Sequence, residues 1–461
     1  MRKVQKCRCG TRLQWGRRDT TERNHVNDQT QRPAPEGTRL GEMWDILPEH
    51  SGRSERGELT IGGVDVSTLA DTYGTPLFVM DEAGLRKQAR RFIDGLRERW
   101  PNSQVMFASK SLPAVGMYRL AQEEGLSVDV AGGGELKLAL AAGVDPERLH
   151  FHGNAKTDAE LTIALDAGIG TIIVDNEDEL DRLERLLERP QKLLLRVIPG
   201  VEAETHASQA TGGAKSKFGL PMDQAKRAIA RMQAHPFMDF EGVHLHIGSQ
   251  ILNTRQFAEA VENISSVGEF HTYDVGGGLG IKYTYDEQNP SVEEYLDAIV
   301  AAAREHLPAD ARIMIEPGRS MVARSGITLY RVVSVKRTGE VFVAVDGGLA
   351  DMMDIALTDQ RYEALLANRI DEPWTENVQL VGRQCESGDL FIDGAPMPEA
   401  KVGDLVALTA TGAYSYTLAN NYNGALKPAM VFVQDGEARL VARRETYDDL
   451  LATHAPALGE A

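Results

Sequence analysis

The sequence predicts an α/β protein: a (β/α)8 TIM-type barrel followed by a C-terminal antiparallel β-barrel domain that includes an N-terminal hairpin. Three observations predict it. Eight short apolar runs occur at 105–109, 127–130, 149–152, 171–174, 193–197, 242–246, 272–275 and 312–315. Runs of this length, separated by helical stretches, read as buried parallel strands. The segments between them carry helical periodicity, and eight strand–helix units close a barrel. Beyond residue 320 the texture changes to β-rich runs with turns between them, which reads as a separate β domain.

Along the chain, residues 1–42 are polar, basic and without periodicity, and are expected to be a disordered tail. Residues 43–80 are expected to contribute to the β domain. Within them, 57–66 alternates and turns like a hairpin whose expected partner is the later β sheet. Residues 67–73 and 81–100 read as helices; Leu85, Ala89, Phe92, Ile93 and Leu96 fall on one face. The barrel domain is expected over 81–320, with helices at 113–124, 135–142, 158–167, 177–188, 222–234, 254–265 and 291–306, and with Asp158 and Thr254 as N-caps. Runs at 327–335, 341–345, 378–381, 405–409, 430–433 and 439–442 build the β domain over 321–461.

The composition excludes several classes. The chain has 461 residues and a formal net charge of −18, which opposes non-specific nucleic-acid binding. Residues 1–40 hold ten Lys/Arg and four Asp/Glu, a net of +6, so the remainder carries −24. The basic segment lacks an apolar core, so it is not read as a secretory signal. No run of 18 apolar residues predicts a membrane span. Cys7, Cys9 and Cys385 are too few for a disulfide framework, and a cytoplasmic setting is expected. Cys7-Arg-Cys9-Gly has no second cysteine pair to complete a zinc site, so no metal is expected.

Barrels of this kind place their chemistry at the carboxyl ends of the strands. Lys110 ends the first strand; in an apolar pocket such an amine loses its proton more easily and condenses with an aldehyde. It also reads as a surface cation. Gly276, Gly277 and Gly278 follow the seventh strand, where converging backbone N–H groups hold a phosphate, or where glycines simply turn the chain. Glu316-Pro317-Gly318-Arg319 puts a carboxylate able to keep a pyridine nitrogen protonated beside an anion-binding guanidinium. His244 and His246 are not read as a two-histidine metal pair; His244 is expected to be a packing residue, and Ser249 stands beside the mouth. Cys385, in a charged and glycine-containing neighbourhood, reads as an exposed working thiol or as an inert buried one.

Taken together, Ser109-Lys110, Ser216-Lys-Phe-Gly219, His244-Leu-His-Ile-Gly-Ser-Gln250, Gly276-Gly-Gly278, Glu316-Pro-Gly-Arg319, Cys385-Glu-Ser-Gly-Asp389 and Gly412-Ala-Tyr414 resemble the fold-type III pyridoxal phosphate-dependent decarboxylases, over roughly residues 57–455. The resemblance is closest to the branch that converts meso-2,6-diaminopimelate to L-lysine, the last step of lysine biosynthesis. It implies pyridoxal 5'-phosphate as cofactor, with Lys110 binding its aldehyde and His246 stacking on its ring. Ser249, Gly276, Gly277, Gly278 and the turn Glu316, Pro317, Gly318, Arg319 would bind phosphate or ring, and Glu316 the ring nitrogen. Asp129 and Arg196 would support the site, and Tyr414 would reach phosphate and substrate. It further implies a homodimer with shared sites, in which Cys385 acts as general acid and Glu386 binds substrate from the other subunit.

One stretch departs from the family. Where Arg-Pro-x-Leu-Tyr is usual, this chain has Asp354-Ile-Ala-Leu-Thr358, so a carboxylate and a hydroxyl replace the distal Arg and Tyr. A carboxylate facing a substrate carboxylate is repulsive by about 1–4 kcal/mol. Arg361, close by, is expected to supply the missing cation. The departure keeps alternatives open: decarboxylation of an ornithine-like, carboxynorspermidine-like or carrier-bound amino acid, and, further off, an alanine-racemase-like enzyme or a non-catalytic cofactor-binding homologue.

Overall fold

The computed structural model describes residues 40–201, 211–213 and 216–458. Cys7, Cys9 and all of the basic tail but 40–42 lie outside the described residues. Eight strands form a closed barrel: β1 (Ser103–Ala108), β2 (Ser127–Val130), β3 (Leu149–Phe151), β4 (Thr171–Val174), β5 (Gln191–Arg196), β6 (Met238–His244), β7 (Thr272–Asp274) and β8 (Arg312–Ile315). Each pairs in parallel with its neighbours in chain order, and β8 closes on β1 through Ile315 opposite Val105. Met106, Ile173, Leu194 and Met314 form a small buried cluster of their own, drawn from β1, β4, β5 and β8. Their neighbours in sequence, such as Phe107, Ile172, Leu193 and Ile313, belong to the larger core that includes the helices. This alternation is that of a barrel interior packed by side chains rather than an open pore.

The seven expected barrel helices are present, with ends within two residues of expectation; for example Asp158–Ala167 and Met222–Ala234 match, and the last spans Val292–His306. Three of them end on Gly125, Gly143 and Gly168 in the left-handed conformation, which glycine adopts without steric cost. One capping expectation is corrected. Thr157, not Asp158, caps its helix, in a reciprocal capping box with Glu160. Thr254 occupies the N-cap position of Arg255–Ser265 without a side-chain capping bond.

Of the other described strands, three form a small sheet and nine form a larger one that branches at the long strand Gly326–Arg337, which pairs with three others. The larger sheet is mixed: Val341–Val345 runs parallel to Glu376–Val381, and Ala429–Gln434 parallel to Leu77–Asp81. The sequence reading missed Leu77–Asp81, Ala364–Leu366 and Leu390–Met397. Leu77–Asp81 joins the sheet by pairing antiparallel with Gly326–Arg337. The 57–66 segment does form a hairpin, Leu59–Ile61 with Val64–Asp65, but its sheet partner is Ser51–Arg53. It meets the larger sheet by packing, as Leu59 and Ile61 share a buried cluster with Leu77, Val79, Ile327, Leu405 and Val431. The same cluster takes in Leu40 and Met43, so residues 40–42 belong to a packed helical turn, Leu40–Met43, and not to the tail. Among the described residues no helix is long and apolar enough to cross a membrane.

Candidate active site

β1 ends at Ala108, and Ser109–Ser111 turn as a single 3-10 turn that carries Lys110 to the mouth. The turn is held from three sides. Ser109 Oγ donates to Glu135 Oε2 (2.5 Å), Ser111 Oγ to the Ala108 carbonyl (2.8 Å), and the Tyr414 N–H to the Ser111 carbonyl (2.9 Å). Tyr414 sits at φ 58°, a left-handed conformation costly for a bulky residue. The surroundings of Lys110 correct one expectation. Burial disfavours its ammonium, but Tyr414, Asp129 and Glu316 outweigh burial and hold its pKa above the ordinary lysine value.

β6, β7 and β8 meet in the glycine turn. An ideal Cβ on Gly276 (φ 66°) would lie 2.4 Å from the Leu245 carbonyl oxygen, one on Gly277 2.1 Å from that of Glu316, and one on Gly278 (φ 117°) 2.4 Å from that of Gly248. Only glycine fits such approaches. The Gly277 N–H donates to His246 Nδ1 (3.2 Å), which fixes that ring's orientation. Burial, helped by the charges of Lys110 and Arg196, holds His246 well below its usual pKa and therefore neutral.

Glu316 lies at the centre of a buried polar group. His152 Nε2 stands 2.9 Å from its Oε1 and His244 Nε2 3.3 Å from its Oε2. Burial opposes its ionisation, yet the two imidazoles hold its pKa well below the usual carboxylate range. The other two carboxyls move the opposite way: burial raises Asp129 to about 6, and burial together with Glu316 raises Asp274 well above its ordinary value. Burial lowers His244 to about 4, so its ring is a neutral donor. The Asp274 carboxylate also accepts the Gly276 N–H (3.0 Å). Glu316 Oε1 has no hydrogen bond of good geometry, because His152 approaches it off line.

Arg196 ends β5 beneath the Ser216–Gly219 motif, its guanidinium 4.5 Å from the Phe218 ring centre. The motif is pinned there by the Gly219 N–H donating to Asp175 (3.1 Å). Arg319 donates from Nε to Ser249 Oγ (3.2 Å) and from Nη1 to Tyr283 OH (2.5 Å), and its guanidinium lies 4.6 Å from the Tyr414 ring centre. Tyr283 meets Tyr362 edge to face, and Tyr362 OH donates to Asp354 Oδ2 (2.8 Å). Asp354 is thus buried two tyrosines away from Arg319, with Thr358 bonded back to its carbonyl (2.9 Å). Arg361, expected as a substitute cation, is instead 63% exposed and paired with Asp286.

Cys385 and Glu386 are exposed on a loop of the β domain, and the Cys385 N–H donates to Asn423. Among the described residues no hydrogen bond or ion pair joins them to Lys110. Asp389 of the same motif is buried and accepts the N–H groups of Leu349 (2.8 Å) and Gln384 (2.6 Å), so it ties this loop to the Asp346-Gly-Gly turn. The structure therefore gathers Lys110, Asp129, Arg196, His246, Ser249, the three glycines, Glu316, Arg319 and Tyr414, and leaves Cys385, Glu386 and Arg361 outside. Sequence reasoning missed His152, Asp274 and Tyr283. His152 could have been found from the His150-Phe-His152 alternation at a strand end, which turns both imidazoles to one face.

These residues fit pyridoxal phosphate. An amine matches its aldehyde, a buried carboxylate oxygen without a donor matches its protonated ring nitrogen, and a cradle closed to any Cβ matches its phosphate. The family profile for the pyridoxal-dependent decarboxylase pyridoxal binding domain matches residues 84–323. The diaminopimelate decarboxylase of Bacillus subtilis (strain 168) is 44% identical, over 88% of this chain and 97% of its own. That of Mycobacterium tuberculosis is 38% identical, over 88% and 97%. The chain belongs to the diaminopimelate decarboxylase family. A solved diaminopimelate decarboxylase from M. jannaschii, in complex with L-lysine, superimposes with a TM-score of 0.81 at 31% identity, covering 88% of this chain and 98% of that one. The Helicobacter pylori enzyme with L-lysine does so at 0.78 and 27%, covering 85% and 100%. Membership of this family brings pyridoxal phosphate as cofactor and amino-acid decarboxylation as reaction class.

Proposed function

We propose that this chain decarboxylates meso-2,6-diaminopimelate to L-lysine, the final step of lysine biosynthesis. The observation that carries the reading is the convergence of Lys110, the open oxygen of Glu316 and the glycine cradle at one barrel mouth, in a chain 44% identical to a diaminopimelate decarboxylase. Lys110 holds the cofactor by its aldehyde, Glu316 keeps the ring nitrogen protonated, and neutral His246 offers a flat uncharged face. Gly276, Gly277, Gly278 and Ser249 hold the phosphate, with the Glu316–Arg319 turn, including Pro317 and Gly318, closing the other side. Asp129 and Arg196 support the mouth, and Arg319 and Tyr414 face substrate. When bound, the cofactor supplies an electron-poor ring that accepts the electron pair left as the α-carboxylate departs.

The exposure of Cys385 and Glu386 supports a homodimer in which they reach the second subunit's site, where the thiol returns a proton to the α-carbon. A barrel domain over 81–320, completed by a β domain from 43–80 and 321–461, accords with this reading. Three cysteines in 461 residues accord with the cytoplasm.

A second reading rests on Asp354. A buried carboxylate near Arg319 suits a substrate whose distal end carries an amine, such as another basic or carrier-bound amino acid. Carbon dioxide release from purified protein, measured with meso-diaminopimelate, L-ornithine, L-lysine and L-arginine, tests both. Diaminopimelate is expected to be turned over fastest. Release from another substrate alone overturns the first reading, and an undiminished rate in Lys110→Ala overturns the chemistry.

A further inference from the structure

Two buried histidines contact Glu316, one at each oxygen, and neither belongs to the machinery assigned above. His244 ends β6 and donates from Nε2 to Oε2 at 3.3 Å; His152 follows β3 and places Nε2 2.9 Å from Oε1. The rings meet edge to face with centres 5.0 Å apart, so each limits the other's rotation. All three side chains are at most 7% exposed. Asp129 Oδ1 lies 3.9 Å from the same Nε2 of His152, and Asp274, Arg196, Lys110 and His246 complete the charged and titratable groups around the carboxylate.

Three carboxyls, those of Asp129, Asp274 and Glu316, share this dry region. Ionising more than one of them is costly, because like charges in low dielectric repel strongly. Which one stays charged depends on the polar groups that face each: Asp274 accepts the Gly276 N–H, whereas Glu316 has an imidazole beside each oxygen. Glu316 alone is contacted by two imidazoles. Their positions also decide its aim: His244 occupies Oε2 along a hydrogen-bond direction, whereas His152 meets Oε1 off line and leaves that oxygen open.

We propose that His152 and His244 are positioning residues, which keep the negative charge of this carboxyl cluster on Glu316 and point its Oε1 at the cofactor ring nitrogen. The inference rests on the role of Glu316 proposed above. Groups that orient a charged ligand from behind affect its function by about 10- to 100-fold where they orient metal ligands, and a loss of that size in kcat is expected here.

The test is 15N NMR of holoenzyme reconstituted with pyridoxal phosphate labelled at the ring nitrogen. The wild-type signal is expected at the protonated position at neutral pH. In His152→Leu and His244→Leu it is expected to move toward the unprotonated position, with kcat lowered about 10- to 100-fold and KM nearly unchanged. His152→Gln, which returns an N–H near the original Nε2, is expected to restore the signal. Should a leucine variant not fold, His152→Asn and His244→Asn, whose shorter amides stop short of the carboxylate, decide in its place. An unprotonated ring in the wild type overturns both the role of Glu316 and this inference. A protonated ring unmoved by either substitution overturns this inference alone.

Discussion

Gly277 is where the cofactor cradle has least room, and Gly277→Ala probes it directly. Its added Cβ would lie 2.1 Å from the Glu316 carbonyl oxygen and 3.0 Å from the carbonyl carbon. A carbon and a carbonyl oxygen settle no closer than about 3.3 Å, so the β7 turn and the β8 end must separate by roughly 1 Å. Overpacking of this kind costs about 1–3 kcal/mol. The displaced carbonyl belongs to Glu316 itself, so the strain falls on the residue proposed to face the ring nitrogen. If binding bears that cost, cofactor affinity drops about 5- to 150-fold. Fluorescence titration of the apoprotein with pyridoxal phosphate measures it. Gly134→Ala is the control: a Cβ there meets nothing within 4 Å, and its helix should gain slightly in stability with cofactor affinity unchanged. Equal cofactor affinity in Gly277→Ala and the wild type would refute the idea that this close backbone approach shapes the site.

Two further predictions follow from other parts of the molecule. Burial, opposed by the hydroxyl of Tyr330 and the Gly348 N–H, raises the Asp351 carboxyl to about 7, whereas unfolded it ionises near 3.9. Between those values the folded chain keeps a proton that the unfolded chain has lost, so stability falls as pH rises from about 4 to about 7. Asp351→Asn should flatten that slope in urea unfolding measured across the range; an unaltered slope contradicts the assignment. If sites are shared between subunits, mixing inactive Lys110→Ala with inactive Cys385→Ala should regenerate about a quarter of wild-type activity, because half the dimers then hold one intact site of two. Mixtures that stay inactive after subunit exchange count against shared sites.

The barrel was legible because its strands are buried on both faces and stand out as short apolar runs, and because their ends carry the chemistry. Lys110, Glu316 and the glycine turn could be read for the same reason. Leu77–Asp81 opens with an apolar run of its own, Leu77-Phe-Val-Met80, but its partners lie near residues 326 and 431, so no element close in sequence marked it as part of a sheet. The direction of the Lys110 shift was misread because an apolar strand end says nothing of the carboxyls that neighbouring strands bring beside it. His152 escaped notice because its partner, Glu316, follows the eighth strand while it follows the third; only closure of the barrel makes them neighbours. Arg361 was placed by sequence proximity, but the short helix Asp354–Thr358 turns it outward to Asp286.

The pairing of Met80 with Gly326 has a consequence for how the molecule is assembled. The polypeptide departs from the mixed sheet at one rung of a ladder and comes back at the very next strand, having threaded all eight β/α units in between. The whole catalytic barrel is thus an excursion from an otherwise continuous sheet. Its two ends are fastened side by side, and a splice across that rung would give a shortened protein in which the sheet could be studied by itself.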